Sequence, residues 1–198
     1  MNISVDHLGK KFNKEWIFRD LAFQFNDSSC TSITGSNGSG KSTLIKIIAG
    51  FNDPTLGEVT YSKTSPETHI SLAAPYLELI EELTLAEMAD FHFTFKKRHL
   101  SNTDLAERAG LSKSFNKPIA DFSSGMKQRL KLALALFAET SLLLLDEPTA
   151  NMDEQGIDWY QKELHTIKGS RTIIIASNQR SEINLCEQEL SIERFKKK

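Results

Sequence analysis

A glycine-rich stretch, GSNGSGKST at residues 35–43, constrains the fold of this chain more than any other feature. It fits the pattern G-x-x-x-x-G-K-[ST], in which glycines let backbone N–H groups turn inward around a polyphosphate. The residues before it, CTSIT, are typical of a short strand, and those after it, KSTLIKII, have helical apolar spacing. A helix that begins at about Gly40 would direct its positive end at the same phosphates. The spacing therefore predicts a strand, a phosphate-binding loop and a helix, in that order.

Two side chains of this loop carry chemistry. Lys41 is predicted to supply a positive charge to the β- and γ-phosphates of a nucleotide, and the Ser42 hydroxyl to ligate Mg²⁺. The competing interpretation is a glycine-rich hairpin or linker. The strand before the loop and the helix after it favour the phosphate site.

A second candidate site lies at the end of an apolar strand, SLLLLDEP, where Asp146 and Glu147 follow four leucines. Ligands of open α/β sheets bind at the carboxyl ends of strands. Asp146 is therefore expected to hold the Mg²⁺, through water, and Glu147 to orient and deprotonate an attacking water. The alternative is an exposed acidic turn that Pro148 ends.

The order of elements indicates the fold class. Residues 2–25 alternate apolar and polar side chains, whereas SLLLLD and TIIIAS are wholly apolar strands that alternate with helices. Apolar strands of this kind predict a parallel sheet covered on both faces. A helical stretch at about residues 76–138 would form an insertion between two strands. TIIIAS is the final apolar strand in this order.

Composition limits the partners. The chain has 198 residues and a net charge of −2, without a basic stripe, so we expect no nucleic-acid partner. The first residues, MNISVDHLGKKF, do not resemble an export leader, and the apolar runs are shorter than the roughly 20 residues of a membrane span. Two cysteines, Cys30 and Cys186, indicate a reducing compartment rather than a disulfide framework. These observations favour a soluble cytoplasmic protein.

Three further segments resemble motifs of the ATP-binding cassette (ABC) family. FSSGMKQRL resembles the signature motif LSGGQ: Ser123, Gly125, Gln128 and Arg129 match, whereas Phe122, Ser124 and Met126 depart from it. TANMD is similar to the D-loop, with Asp153 at its closing position, and KKF ends in an aromatic, Phe12, where the family stacks adenine. The order of the motifs along the whole chain is also that of the family.

The resemblance implies a single ABC ATPase domain over residues 1–198, with the fold class α/β. Its P-loop NTPase core would contain a mixed or parallel sheet, an N-terminal antiparallel β subdomain and the helical insertion subdomain. ATP and Mg²⁺ are the implied cofactors, Glu147 the catalytic residue, and Ser42 and Asp146 the metal ligands. The implied ATP contacts are Phe12, Gly35, Ser36, Asn37, Gly38, Ser39, Gly40, Lys41, Ser42, Thr43 and Asn178.

The resemblance also implies partners. In the family two cassettes pair head to tail, so Ser123, Ser124 and Gly125 would contact the ATP of a second ABC subunit, identical or homologous. An integral membrane permease would be the other partner, with the chain peripheral on the inner face of the cell membrane. The compact size resembles small cassettes of export systems, including the haem-exporter type.

Two family positions are absent. No glutamine lies near Ala74 or Pro75, and Asn178 stands where the family places a histidine that contacts the γ-phosphate. Asparagine donates a hydrogen bond but cannot become cationic. Two alternatives therefore stay open beside the transport ATPase: a hydrolysis-impaired regulatory clamp in a heterodimer, and a soluble ABC ATPase without a transport role.

Overall fold

The computed structural model describes residues 1–62 and 69–196. The sequence THISLAA, residues 68–74, is typical of a strand, and its first residue, Thr68, lies outside the described range. The strands are β1 Ile3–Phe12, β2 Glu15–Phe25, β3 Cys30–Thr34, β4 Leu56–Tyr61, β5 Ile70–Ala73, β6 Leu142–Asp146, β7 Thr172–Ala176 and β8 Gln188–Ser191. The helices are α1 Lys41–Ile48, α2 Leu85–Phe95, α3 Asn102–Arg108, α4 Ser124–Phe137, α5 Glu154–Ile167 and α6 Arg180–Ile183.

The N-terminal strands form an antiparallel sheet of three strands in the order β2-β1-β4. Ile3 pairs with both Phe25 and Tyr61 across the two ladders. Alternate residues such as Ile3 and Val5 are buried, as the alternating pattern predicted. This sheet is the predicted antiparallel β region.

The second sheet has five strands in the order β5-β6-β7-β3-β8. Every strand pairing within it is parallel in the described residues. The sequence had left a mixed or a parallel sheet open, and the parallel sheet is the one found. β8 follows the final apolar strand, TIIIAS, and was not predicted; it pairs with β3 at the edge of the sheet. β8 has the sequence QELS and buries only Leu190, so it lacks the apolar character that marks the other strands.

Helices cover both faces of the parallel sheet. Leu143 and Leu145 of β6 pack in one core with α4 and α5, while Leu142 and Leu144 pack in a second core with α1 and the antiparallel sheet. Successive side chains of a strand point to opposite faces, which is why a strand of consecutive leucines is buried along its whole length. Because the strands are parallel, the carboxyl ends of β3 and β6 lie at the same end of the sheet, and helices pack on both faces of that sheet.

The segment predicted as helical from about residue 76 carries its first helix only from Leu85. Thr84 and Glu87 form a capping box that begins α2, and Ser101 and Asp104 form another that begins α3. Among the described residues, no helix combines the length and apolar character that crossing a bilayer would require.

Candidate functional site

The glycine-rich loop connects the end of β3 at Thr34 to the start of α1 at Lys41, as predicted. Gly40 is the N-cap of α1 and has a φ of 107°, a left-handed conformation that disfavours other residues. A β-carbon at Gly40 would also lie 2.4 Å from Cγ2 of Ile17. Glycine is thus needed at this position both for its backbone conformation and for the close approach of β2.

The loop borders a cleft of about 190 Å³ whose lining is Ile17, Asn37, Gly38, Ser39, Gly40, Lys41, Ser42, Thr43 and Glu147. Lys41 is only 5% exposed, and its ammonium donates hydrogen bonds to the carbonyl oxygens of Gly35 at 2.7 Å and Ser36 at 3.4 Å. The positive charge is therefore held against the loop by neutral carbonyls. A phosphate would be a stronger acceptor for the same group.

Asp146, the last residue of β6, is 1% exposed. Neither of its carboxylate oxygens has a hydrogen-bond partner within the described residues. Burial raises the pKa of Asp146; the Ser42 hydroxyl opposes this effect, Glu147 adds to it, and Lys41 opposes it. A buried carboxylate without a partner, next to a serine hydroxyl, is a set of hard oxygen donors that suits Mg²⁺.

Glu147 follows directly and has an exposed side chain at the mouth of the same cleft. Its backbone N–H donates to the Ala176 carbonyl oxygen at 2.9 Å, which ties it to the end of β7. Its φ is +44°, in the left-handed region that residues other than glycine seldom adopt. The carboxylate is thus open to water in a fixed backbone position, as a general base requires.

Asn178 lies just beyond β7 and contacts the phosphate loop itself. Its amide nitrogen donates to the Gly35 carbonyl oxygen at 2.6 Å, and its amide oxygen accepts from the Gly35 N–H at 3.0 Å. The side chain therefore uses one donor and one acceptor on the first residue of the loop. This contact is backbone-directed, unlike the γ-phosphate contact that the resemblance implies for this position.

Phe12 ends β1 and is 49% exposed, and the Lys10 ammonium lies 5.1 Å from its ring centroid. Phe12 is not part of the lining of the loop cleft. Ile17 is, and its side chain packs against the loop at Gly40. Ile17 was not predicted as a site residue, because one apolar residue in a half-buried strand has no distinguishing signal in the sequence.

The signature residues form a second cleft, of about 410 Å³. Ser123 is the N-cap of α4 and its hydroxyl accepts from the Met126 N–H at 3.3 Å, while Gly125 lies in the first turn. Ser124 is the first residue of α4 and does not need a positive φ, so its replacement of the family glycine imposes no backbone strain. Asp153 caps α5, and its Oδ1 lies 3.7 Å from a guanidinium nitrogen of Arg129. Because Arg129 lies on α4, hereafter called the signature helix, this ion pair joins the predicted D-loop to that helix.

Two buried or loop-directed carboxylates at these sites were not predicted from the sequence. The Glu193 carboxylate, near the end of the chain, accepts from the Ser36 N–H at 2.8 Å. The Thr149 N–H, two residues beyond Glu147, donates to the Glu182 carboxylate at 2.7 Å. Glu193 and Glu182 come from stretches without a recognisable motif, so no local pattern could have identified them.

A glycine-rich loop at a helix N-terminus, facing an acidic strand end on a parallel sheet, defines a P-loop nucleotide-binding protein. A family model described as ABC transporter matches residues 18–150, more than half of the chain. The chain belongs to the ABC transporter family as an ATP-binding protein, and these proteins are ATPases that work with membrane permeases.

Relatives support this assignment across most of the chain. An uncharacterised ABC transporter ATP-binding protein, YybJ of Bacillus subtilis, is 33% identical over 195 residues, which is 93% of this chain and 89% of that protein. The cytochrome c biogenesis ATP-binding export protein CcmA of Rhizobium etli is 33% identical over 192 residues, covering 90% and 89%. A solved ABC transporter ATP-binding protein from Pyrococcus furiosus shares the fold, with a TM-score of 0.85, 17% identity and full coverage of both chains.

Proposed function

We propose that this chain binds Mg²⁺-ATP, pairs head to tail with a second cassette, and hydrolyses ATP to drive a separate membrane permease. One observation supports the pairing above all: the loop cleft and the signature cleft have no residue in common. The first offers a phosphate loop and Glu147, and the second offers a capped helix N-terminus at Ser123. In a head-to-tail pair, the second cleft of one chain would face the nucleotide held in the first cleft of the other.

The first cleft binds the nucleotide. Backbone N–H groups of the loop and the N-terminus of α1 would hold the phosphates, and Lys41 would exchange its carbonyl partners for phosphate oxygens. Phe12 and Ile17 would contact the adenine and ribose. Glu147, exposed at the mouth of the cleft, would accept the proton of the attacking water.

Ser42 and Asp146 would hold Mg²⁺. The fit rests on the buried Asp146 carboxylate, whose oxygens have no partner among the described residues. When bound, Mg²⁺ would neutralise charge on the β- and γ-phosphates.

The second cleft would act on the partner's nucleotide. The N-terminus of α4, with its Ser123 hydroxyl and the N–H groups near Ser124 and Gly125, forms an anion-binding end of the helix. ATP would thus be part of the interface, and its hydrolysis would weaken that interface.

The permease partner and the position on the inner membrane face follow from the family. Some relatives are named for export, as CcmA is for cytochrome c biogenesis, and others for import, as CysA is for sulfate and thiosulfate. CcmA is matched at 33% identity over 89% of its own length, whereas CysA is matched at 26% over 60%, so the comparison favours a small exporter-type cassette.

A regulatory clamp with impaired hydrolysis is the second candidate. Asn178 is engaged with Gly35 rather than free to reach a γ-phosphate, which favours slow turnover. The intact Glu147 and Asp146 favour hydrolysis.

Mg²⁺-ATP turnover measured against chain concentration distinguishes the two candidates. For the ATPase we expect a rate that rises faster than linearly and is lost in Glu147→Gln. Tight ATP binding without turnover at any concentration would contradict hydrolysis and support the clamp.

A further inference from the structure

A fully buried carboxylate contacts the turn that follows β6 and contains Glu147. Glu182, on α6, is 0% exposed. Its Oε1 accepts the Thr149 N–H at 2.7 Å and also the Thr149 hydroxyl, while its backbone carbonyl accepts the Tyr160 hydroxyl at 3.0 Å. Glu182 and Tyr160 thus anchor α6 to α5 and to the turn that follows β6.

Burying an ionisable side chain is costly, and no ion pair offsets the cost for Glu182 in the described part of the chain. Its Oε2 has no hydrogen-bond partner there either. An apolar residue at this place would pack more favourably but would leave the Thr149 N–H and hydroxyl unpaired. The buried carboxylate therefore serves to accept both hydrogen bonds of Thr149.

Thr149 is two residues beyond Glu147, and the segment between them is fixed from a second side. The Gln128 amide, 3% exposed on the signature helix, donates to the Pro148 carbonyl oxygen at 2.7 Å. Glu147 itself has the left-handed φ of +44°. Such a conformation is strained and persists only where the surrounding contacts hold it in place.

We propose that Glu182 is a positioning residue: through Thr149 it holds the turn that places the Glu147 carboxylate for proton transfer. Gln128 supports the same turn from the signature helix. Glu182 is too deeply buried to contact ATP or bulk water itself, so its role would be exerted through Glu147. The inference therefore rests on the proposed hydrolysis.

The test uses four substitutions at Glu182 and Thr149, and one control substitution, in the full chain. Glu182→Ala removes the acceptor, whereas Glu182→Gln keeps an oxygen for Thr149. Thr149→Val removes the hydroxyl at nearly constant shape, and Thr149→Ser restores it. Glu107→Gln, at an exposed site on α3, serves as the matched control for charge removal.

We expect kcat to fall about 10- to 100-fold in Glu182→Ala and by a smaller factor in Thr149→Val, because displacement of a catalytic group by about 1 Å has effects of this size. ATP affinity from calorimetry should change less than about twofold, and kcat should be largely restored in Glu182→Gln and Thr149→Ser. Amide exchange of residues 149–150 should accelerate in Glu182→Ala, with exchange in β6 unchanged.

A kcat that is unchanged in both Glu182→Ala and Thr149→Val, or that falls only in parallel with ATP affinity, would overturn the positioning role. If Glu182→Ala does not fold, the Thr149→Val and Thr149→Ser pair decides the question. A wild-type chain without turnover would instead contradict the proposed hydrolysis, and the positioning role with it.

Discussion

Replacement of Lys41 by methionine should weaken ATP binding severely without unfolding the chain. Lys41 is 5% exposed, and its ammonium nitrogen lies 2.7 Å from the Gly35 carbonyl oxygen. Methionine keeps most of the aliphatic stem and removes only the charge. The loop carbonyls that lose a donor are themselves near the protein surface, where water can replace it.

The magnitude follows from the position of the charge. A unit charge about 4 Å from a phosphate oxygen, at an effective dielectric constant of about 20, contributes roughly 4 kcal/mol. Exchange of carbonyl partners for phosphate oxygens reduces the net gain, so about 3–4 kcal/mol is expected. This corresponds to a loss of affinity of about 100- to 1,000-fold.

Isothermal titration with Mg²⁺-ATP measures the loss directly, and the urea midpoint establishes that the variant is folded. Lys162→Met, on the exposed face of α5, removes the same charge away from the clefts and should bind ATP like the wild type. A folded Lys41→Met chain that binds ATP within threefold of the wild type would refute the assignment of the phosphate loop.

Three further perturbations test other parts of the molecule. Phe12→Ala should weaken ATP binding by about 1–2 kcal/mol if the ring stacks on adenine, and an unchanged affinity by calorimetry would remove Phe12 from the site. Ser123→Asp keeps a good N-cap, so the urea midpoint should stay, but its carboxylate should repel a partner's γ-phosphate and abolish ATP-dependent dimers in light scattering; persistent dimers would contradict the trans contact. Burial lowers the pKa of His92 to about 4, so the wild type should lose up to about 3 kcal/mol of stability relative to His92→Gln as the pH falls from 6.5 towards 4. Parallel urea midpoints for the two proteins across that window would show that His92 does not couple to folding.

The parts of the site that sequence predicted best are contiguous in the chain. The loop from Gly35 to Thr43 is recognisable because its spacing, the strand before it and the helix after it are all local features. Asp146 and Glu147 are recognisable because four leucines mark their strand as buried. In each case a short segment contains both the pattern and its structural context.

The parts that sequence did not predict depend on distant pairings. β8 has a polar sequence and becomes a strand because β3 offers it a free edge. Asn178 is 143 residues from Gly35, yet its side-chain amide donates to the Gly35 carbonyl oxygen and accepts from the Gly35 N–H. The buried position of Glu182 depends on Thr149 and Tyr160, which no pattern in SNQRSEINL reveals.

The left-handed backbone of Glu147 has a consequence for how this protein would respond to selection. Glycine, and to a lesser degree asparagine, tolerates a φ of +44° better than glutamate does, so both should make the chain more heat-resistant while removing the carboxylate that we propose as the base. A search for thermostable variants that does not also select for activity would therefore enrich chains that carry glycine or asparagine in place of Glu147 and no longer hydrolyse ATP. Glutamate remains favoured only while the reaction itself is under selection.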